Sequence, residues 1–169
     1  MADRAGDSGL VQFSERLTSS AAFGTLFREG MDLVEETAAY LDGIGRSEAK
    51  ALDRAVSLTY ATESMRLTTR LMQLASWLLL HRAVKEGEMT LVQANREKTK
   101  VKLSAADPGA ADALAKLPGQ LQELIARSMA LQAKVRRLDL TIHAPSAERA
   151  PIGNPLVPQL NRLKAAFER

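Results

Sequence analysis

The chain has 169 residues and a net charge of +3, so its length suits one domain and its charge does not require a nucleic-acid partner. Its 27 Ala and 25 Leu stand against only 8 Val and 4 Ile, a balance that favours helices and disfavours a sheet-based fold. The absence of cysteine excludes disulfide bonds, thiolate metal sites and a cysteine nucleophile, and it fits a cytoplasmic protein.

The first predicted element is a helix at about residues 20–42. Residues 1–17 have no sustained period and no apolar signal core, so we expect a flexible N-terminal arm. Ser19 or Ser20 can cap the helix, and Gly43 stands where its C-terminal cap is expected. Apolar residues then recur at steps of four and three and predict one buried face: Phe23, Phe27, Met31, Val34, Ala38 and Leu41.

A long second helix is predicted after the short turn at residues 43–45, and the short turn predicts that it returns antiparallel to the first. Ser47 is its expected N-cap, and neither Pro nor Gly occurs from there until Gly87. The seam expected to face the bundle alternates steps of four and three: Ala51, Ala55, Leu58, Thr62, Met65, Thr69, Met72, Ser76, Leu79 and Ala83.

The second half of this helix carries another apolar stripe. The stripe starts at Leu67, and its other members are the predicted helix or dimer interface: Leu71, Leu74, Trp77, Leu78 and His81. Together the two stripes make residues 71–80 apolar nearly all round, and such a segment must be covered on every side. Because the first helix is too short to cover it, we expect a third helix, a second subunit, or both. The longest unbroken apolar run, at residues 77–80, is too short to span a membrane.

The rest of the chain predicts one more long helix and a tail. Thr90 and Gln93 have capping-box spacing, so residues 91–101 are a short helix or a continuation of the second helix. The last long helix begins near Asp112 or at Pro118 and ends near residues 140–142. We therefore predict an all-α, antiparallel three-helix bundle over residues 18–142, with a long second helix and dimeric association.

Residues 143–169 change character and are predicted to form a flexible tail. Four prolines fall within residues 145–158, which no helix or strand survives. A small amphipathic pattern follows, and we expect it to fold on meeting a partner. The candidate partner-binding residues of the tail are Leu160, Leu163 and Phe167.

The charges are unevenly distributed along the chain. Residues 1–45 carry 3 basic and 8 acidic groups, whereas residues 46–102 carry 11 basic and 6 acidic groups. A helical hairpin would pair these segments, and the expected pairs are Glu35 and Glu36 with Lys50 and Arg54, and Arg28 with Glu63. Arg66 and Arg70 are one turn apart and repel unless an acidic group lies near, so both are candidate partner-binding residues.

No catalytic constellation is visible in the sequence. The Glu-x-x-His, His-Glu-x-x-His and Gly-x-Ser-x-Gly motifs are absent, and so is a phosphate-binding glycine-rich loop. Glu35 and Glu36 are adjacent and diverge by about 100° on a helix, so they cannot share a proton or a substrate. We therefore expect a non-enzymatic protein without a cofactor or metal.

Two stretches, FREGMDLVEETAAYLDGIGR at residues 27–46 and YATESMRLTTRLMQLASWLLLHRAVKEGEMT at residues 60–90, resemble the bacterial family of regulators of CtrA degradation. The resemblance implies a three-helix bundle that forms a homodimer and acts without catalysis. It implies an adaptor that helps the ClpXP protease receive substrates such as the response regulator CtrA, together with a receiver-domain protein that primes the protease. It also implies a cytoplasmic protein concentrated at a cell pole, with a flexible C-terminal tail that matters for activity.

Two other readings of the residues remain open. The basic run at residues 96–102 is compatible with a helical nucleic-acid-associated protein, although it lacks interleaved aromatic residues, and nucleic acid is not the expected partner. A structural dimer without a client would also fit. A small-ligand site or a missed enzyme has no convergent polar residues in its favour.

Overall fold

The computed structural model describes residues 21–98 and 110–142, and within these ranges the regular structure is entirely helical. The six helices are α1 (Ala21–Asp42), α2 (Ile44–Ala51), α3 (Arg54–Lys85), α4 (Leu91–Lys98), α5 (Ala111–Leu114) and α6 (Gly119–Ile142). The predicted all-α class is thus confirmed for the described residues. The predicted arm and the tail with Leu160, Leu163 and Phe167 lie outside them.

Helix α1 occupies the predicted range, but its buried face is turned relative to the predicted one. The residues that point into the core recur at steps of three and four: Phe23, Leu26, Gly30, Leu33, Thr37 and Tyr40. Of the predicted face, Phe23 is buried, Phe27, Met31, Val34 and Leu41 are half-buried, and Ala38 is exposed. The apolar stripe of α1 is therefore wide, and its centre is rotated around the helix axis relative to the predicted face.

The predicted unbroken second helix is in fact two helices, α2 and α3. Leu52 is extended, with φ −78° and ψ 148°, and the Asp53 carboxylate accepts a hydrogen bond from the Val56 amide at 2.9 Å. An aspartate in this position satisfies an amide that the first turn of a helix leaves without a partner. Asp53 therefore starts a new helix where the sequence contains no Gly or Pro, and the predicted start at Ser47 is wrong.

A cluster of tyrosines holds the short helix α2 against its neighbours. The Tyr40 hydroxyl donates to Glu48 Oε2 at 2.6 Å, and burial, followed by this hydrogen bond, raises the pKa of Tyr40. A Cβ on Gly45 would lie 2.8 Å from the Tyr60 hydroxyl and 2.9 Å from a ring carbon of Tyr40. The absence of a side chain at Gly45 therefore lets the two tyrosine side chains close over the turn.

Helix α6 runs parallel to α3. Arg70 of α3 contacts Ser128 of α6, and further along both helices Trp77 contacts Asp139. The numbers rise together, so the two helices point the same way, and the antiparallel return predicted for the last helix is wrong. Short loops join antiparallel neighbours, whereas residues 86–118 are numerous enough to travel back along the length of α3 before α6 begins.

Ion pairs between α1 and α6 show that these two helices are antiparallel. Glu29 of α1 pairs with Lys134 Nζ at 2.9 Å, and one level further along α1, Glu36 pairs with Arg127 Nη1 at 2.7 Å. The acidic groups of α1 are thus paired with α6 and not with the helix that was predicted to follow α1. Neither set of predicted pairs, Glu35 and Glu36 with Lys50 and Arg54, or Arg28 with Glu63, forms among the described residues.

The three long helices α1, α3 and α6 surround one core. Its fully buried side chains come mainly from α3 and α6: Leu33, Leu67, Leu74, Trp77, Leu78, His81, Leu121, Leu124, Ser128, Leu131 and Val135. Burial of such leucines contributes about 1.5–3 kcal/mol each, so this interior dominates the stability of the domain. No helix of the described residues is long and apolar enough to cross a bilayer.

Candidate functional site

Trp77 lies at the centre of a buried network. It is 1% exposed, and its indole Nε1 donates to Asp139 Oδ1 at 2.8 Å. Its ring stacks on His81 with centroids 3.9 Å apart, while His81 Nδ1 lies 2.9 Å from the Trp77 carbonyl oxygen. A buried indole N–H needs a partner, and a carboxylate is a strong one. The network therefore fixes the orientation of α6 relative to α3.

The same carboxylate also anchors α4. Lys98 Nζ lies 2.7 Å from the Asp139 carboxylate, and the two side chains are 25% and 15% exposed. Helix α4 begins with the predicted capping box, because Thr90 Oγ1 accepts from the Gln93 amide and Gln93 Oε1 accepts from the Thr90 amide. Helix α4 is thus separate from α3, and its last residue is attached to the end of α6.

The sequence-predicted interface residues all lie inside a single chain. Leu71 is 4% exposed, Leu74 and Trp77 are 1% exposed, and Leu78 and His81 are 0% exposed. Phe23 of α1, with its ring 6.4 Å from that of Trp77, and α6 provide the cover. These five residues therefore form a helix interface, and their burial requires no second subunit.

Arg70 is buried as well, which corrects its predicted place on a partner-binding surface. It is 7% exposed, and its Nη1 donates to Ser128 Oγ at 2.8 Å, while that hydroxyl donates to the Ile125 carbonyl. Burial lowers the pKa of Arg70, and the nearby Glu63 carboxylate opposes that shift. The acidic group that was expected near Arg66 and Arg70 is thus Glu63 of the same helix.

The Arg66 side chain remains partly exposed. It pairs with Glu63 at 2.8 Å, and its side chain is 43% exposed whereas that of Glu63 is 7% exposed. Of the two arginines proposed from the sequence, Arg66 is therefore the one that a partner can reach.

The seam that was predicted to face the bundle is instead its outer surface. Four large side chains of α3, here called the outer stripe, are strongly exposed: Leu58 (71%), Met65 (72%), Met72 (66%) and Leu79 (53%). The stripe with Leu67, Leu74 and Trp77 fills the core instead, so the predicted inner seam is wrong, and α1 and α6 leave part of residues 71–80 exposed within one chain. Among the described residues the outer stripe is a run of large apolar side chains at regular spacing on one helix face.

No local pattern in the sequence marks Asp139, which became important because α6 runs parallel to α3. Ser128 falls on the four-and-three spacing of the predicted last helix, but its bond to Arg70 depends on the same packing. No group of three or more His, Asp or Glu in the described ranges could hold a metal ion. The surface of the described helices carries an apolar stripe, a partly exposed arginine and ion pairs.

The chain belongs to the family described as protein of unknown function (DUF1465), whose model matches residues 14–167. That match extends through most of the predicted tail, so the family likeness is wider than the two quoted stretches. Among solved structures the chain is similar to RcdA from Caulobacter crescentus CB15, with 48% sequence identity, a TM-score of 0.65, and coverage of 78% of this chain and 99% of that one. No curated protein matches the chain.

Proposed function

We propose that this protein is a non-enzymatic adaptor in regulated proteolysis, which helps deliver cell-cycle proteins such as CtrA to the ClpXP protease. The observation that carries the proposal is the similarity to RcdA, at 48% identity over 99% of that chain. The two idiosyncratic stretches at residues 27–46 and 60–90 had pointed to the same family of regulators of CtrA degradation.

The mechanism we propose is tethering. An adaptor that binds cargo and protease together raises the local concentration of cargo at the protease, and no covalent step is needed. Tethering lowers the KM for the cargo and leaves the maximal degradation rate nearly unchanged. The proposed contacts to partners are Arg66, whose side chain is partly exposed, and the tail residues Leu160, Leu163 and Phe167.

A degradation assay tests this proposal directly. Purified ClpXP, the receiver-domain priming protein and CtrA are combined with increasing amounts of this protein, and initial rates are measured over a range of CtrA concentrations. We expect the KM for CtrA to fall by about tenfold or more, as tethering predicts. A protease substrate with its own recognition tag is the control, and its degradation should not change.

Two variants separate the proposed contacts from general damage. Deletion of residues 145–169 should abolish the fall in KM if the tail engages cargo or protease, and full activity of the truncated chain would favour a passive structural dimer. Arg66→Ala should weaken partner binding while the protein stays helical, since the side chain is half-exposed. Arg46→Ala is a matched control, because Arg46 of α2 also forms an exposed ion pair, with Asp42 at the end of α1.

The nucleic-acid alternative is less favoured by the geometry of α4. Lys98 is engaged by Asp139, and Arg96 has an interaction of its own, so two cations of the basic run are not simply presented to solvent. Steeply salt-dependent DNA binding would revive this alternative, whereas no binding at low salt would remove it.

The homodimer, the cytoplasmic location and the concentration at a cell pole that the resemblance implies belong to the proposal, and a fluorescent fusion tests the location.

A further inference from the structure

The last two turns of α6 carry two arginines beside an exposed apolar side chain. Arg136 and Arg137 are exposed, and Leu140, one turn further along the helix, is 70% exposed. Residues three and four apart on a helix share a face, so both arginines lie on the side of the helix that presents Leu140. These three residues, here called the α6 basic patch, therefore offer two cations and one apolar group along about 6 Å of helix.

The positive charge of the α6 basic patch is not neutralised within the described residues. The cations of α6 that face α1 are paired with glutamates of α1. By contrast, neither Arg136 nor Arg137 forms an ion pair with a described residue. The nearby Asp139 carboxylate is only 15% exposed and is already bound by the Trp77 indole and by Lys98. Both guanidinium groups are therefore open to carboxylates of another molecule.

The rest of this chain does not supply a strongly acidic segment for the patch. Residues 1–20 carry 3 acidic and 2 basic side chains, residues 99–109 carry 1 and 2, and residues 143–169 carry 2 and 4. The tail follows α6 directly in the chain, and its charge has the same sign as that of the patch. Like charges repel over a Debye length, whereas an acidic partner gains from both. The charge distribution thus favours an acidic molecule other than this chain's own tail.

The exposed Leu140 favours a protein partner over a nucleic acid. Phosphates are bound by cations and hydrogen-bond donors, and an apolar side chain between such groups gains nothing from a phosphate. The patch also contains no aromatic ring on which a base could stack. Arginine, in contrast, binds protein carboxylates through two parallel hydrogen bonds, and it is enriched in protein interfaces together with apolar residues.

We propose that the α6 basic patch binds an acidic segment of a protein partner, in which carboxylates flank an apolar side chain. Arg136 and Arg137 donate hydrogen bonds to the carboxylates, and Leu140 packs against the apolar side chain. The proposal rests on the adaptor role stated above and deepens it, because it names the chemistry of a partner that the adaptor holds. Its first test is independent of that role.

The first test measures binding of a defined probe by fluorescence anisotropy. The probe is a labelled peptide of about 15 residues with a leucine between two pairs of glutamates in an alanine background, used at low ionic strength where surface charges are weakly screened. We expect Arg136→Glu/Arg137→Glu to raise the dissociation constant by at least about tenfold. Leu140→Ala should raise it by about threefold or more. Replacing the glutamates of the peptide with glutamines should also weaken binding by at least about tenfold.

The matched control is Arg28→Glu/Arg54→Glu. Both arginines are exposed on other helices, and this variant changes the net charge of the chain by the same amount. It should leave the dissociation constant within about twofold of the native value, because it alters the overall field and not the patch. Far-UV circular dichroism should show native helix content in both double variants, since all four side chains are exposed.

The second test repeats the degradation assay with the same variants. Arg136→Glu/Arg137→Glu should lose at least about half of the fall in KM that the native chain produces, and the control variant should keep it. If the native chain binds the peptide through the patch but does not lower the KM, the adaptor role fails and the patch stands. If the native chain lowers the KM but does not bind the peptide, the patch fails and the adaptor role stands.

Four further results would overturn the proposal. The patch variant could bind the peptide, or lower the KM, as well as the native chain does. A lower urea midpoint with unchanged peptide affinity would mean that the arginines serve only the dipole of α6. Tighter binding of a DNA duplex of about 15 base pairs through the same arginines would assign the patch to nucleic acid. A change in sedimentation on charge reversal would assign it to a contact between copies of this chain.

Discussion

The hydrogen bond from the Trp77 indole to Asp139 should couple α3 to α6 energetically. Asp139→Ala removes a carboxylate that serves two donors, the indole N–H at 2.8 Å and Lys98 Nζ at 2.7 Å. The indole is 1% exposed, so its unsatisfied N–H costs about 1–3 kcal/mol. The ion pair with the partly exposed Lys98 adds at most about 1 kcal/mol. We expect Asp139→Ala to lower the free energy of unfolding by about 1–4 kcal/mol.

A double-mutant cycle isolates the indole contribution. Trp77→Phe removes the N–H donor, so in this background Asp139→Ala should lose only the contribution of the Lys98 ion pair. The expected coupling energy between Trp77 and Asp139 is about 1.5–3 kcal/mol, the range for a hydrogen bond to a charged group. Urea unfolding followed by far-UV circular dichroism measures it, because the phenylalanine variant lacks the tryptophan signal.

The cycle needs a control and fixed conditions. Arg127→Ala breaks the pair with Glu36 far from the indole, so its effect should add to that of Trp77→Phe within about 0.5 kcal/mol. All four proteins are compared at one concentration, since association stabilises the folded state. A coupling energy below about 0.5 kcal/mol between Trp77 and Asp139 would refute the reasoning.

Three further predictions concern buried polar groups and close packing. Glu63→Gln removes the carboxylate that favours the charged form of the buried Arg70 and should cost about 1–3 kcal/mol. Arg70→Met should cost less, because Glu63 keeps its ion pair with Arg66, and urea unfolding that gives the reverse order would contradict this. Burial raises the pKa of Tyr40, so the folded state keeps a proton that the unfolded chain releases at high pH. The stability of the protein should therefore fall as the pH rises above about 10. Thermal melts should show a smaller fall for Tyr40→Phe than for the native chain. A Cβ on Gly30 would press on a buried leucine of α3, so Gly30→Ala should lower the free energy of unfolding by up to about 2 kcal/mol, net of its gain in helix propensity. Gly24 has open space around it, so Gly24→Ala should raise the free energy of unfolding by up to about 1 kcal/mol.

Much of the local structure could be predicted from the sequence. The apolar period placed α1 within a residue of its observed start, and the spacing of Thr90 and Gln93 predicted the capping box that begins α4. These features depend on residues close together in the chain, where backbone geometry alone sets the contacts. The break at Leu52 and Asp53 is also local, but a capping aspartate inside an otherwise continuous helical pattern is a weak signal beside the absence of Gly and Pro.

The arrangement around the site was decided by the tertiary structure. Helix α3 carries two apolar stripes, and periodicity identifies both without saying which one faces the core. The stripe of Leu67, Leu74 and Trp77 fills the space between α1 and α6, whereas Met65 and Met72 remain outside. The acidic side chains of α1 pair with α6 and not with the predicted second helix, because α6 packs antiparallel against α1. The direction of α6 in turn depends on the path of the connection before it. The sequence by itself thus determined that the chain is helical and where most of its helices lie, whereas only the packing of distant segments determined which apolar face remains exposed.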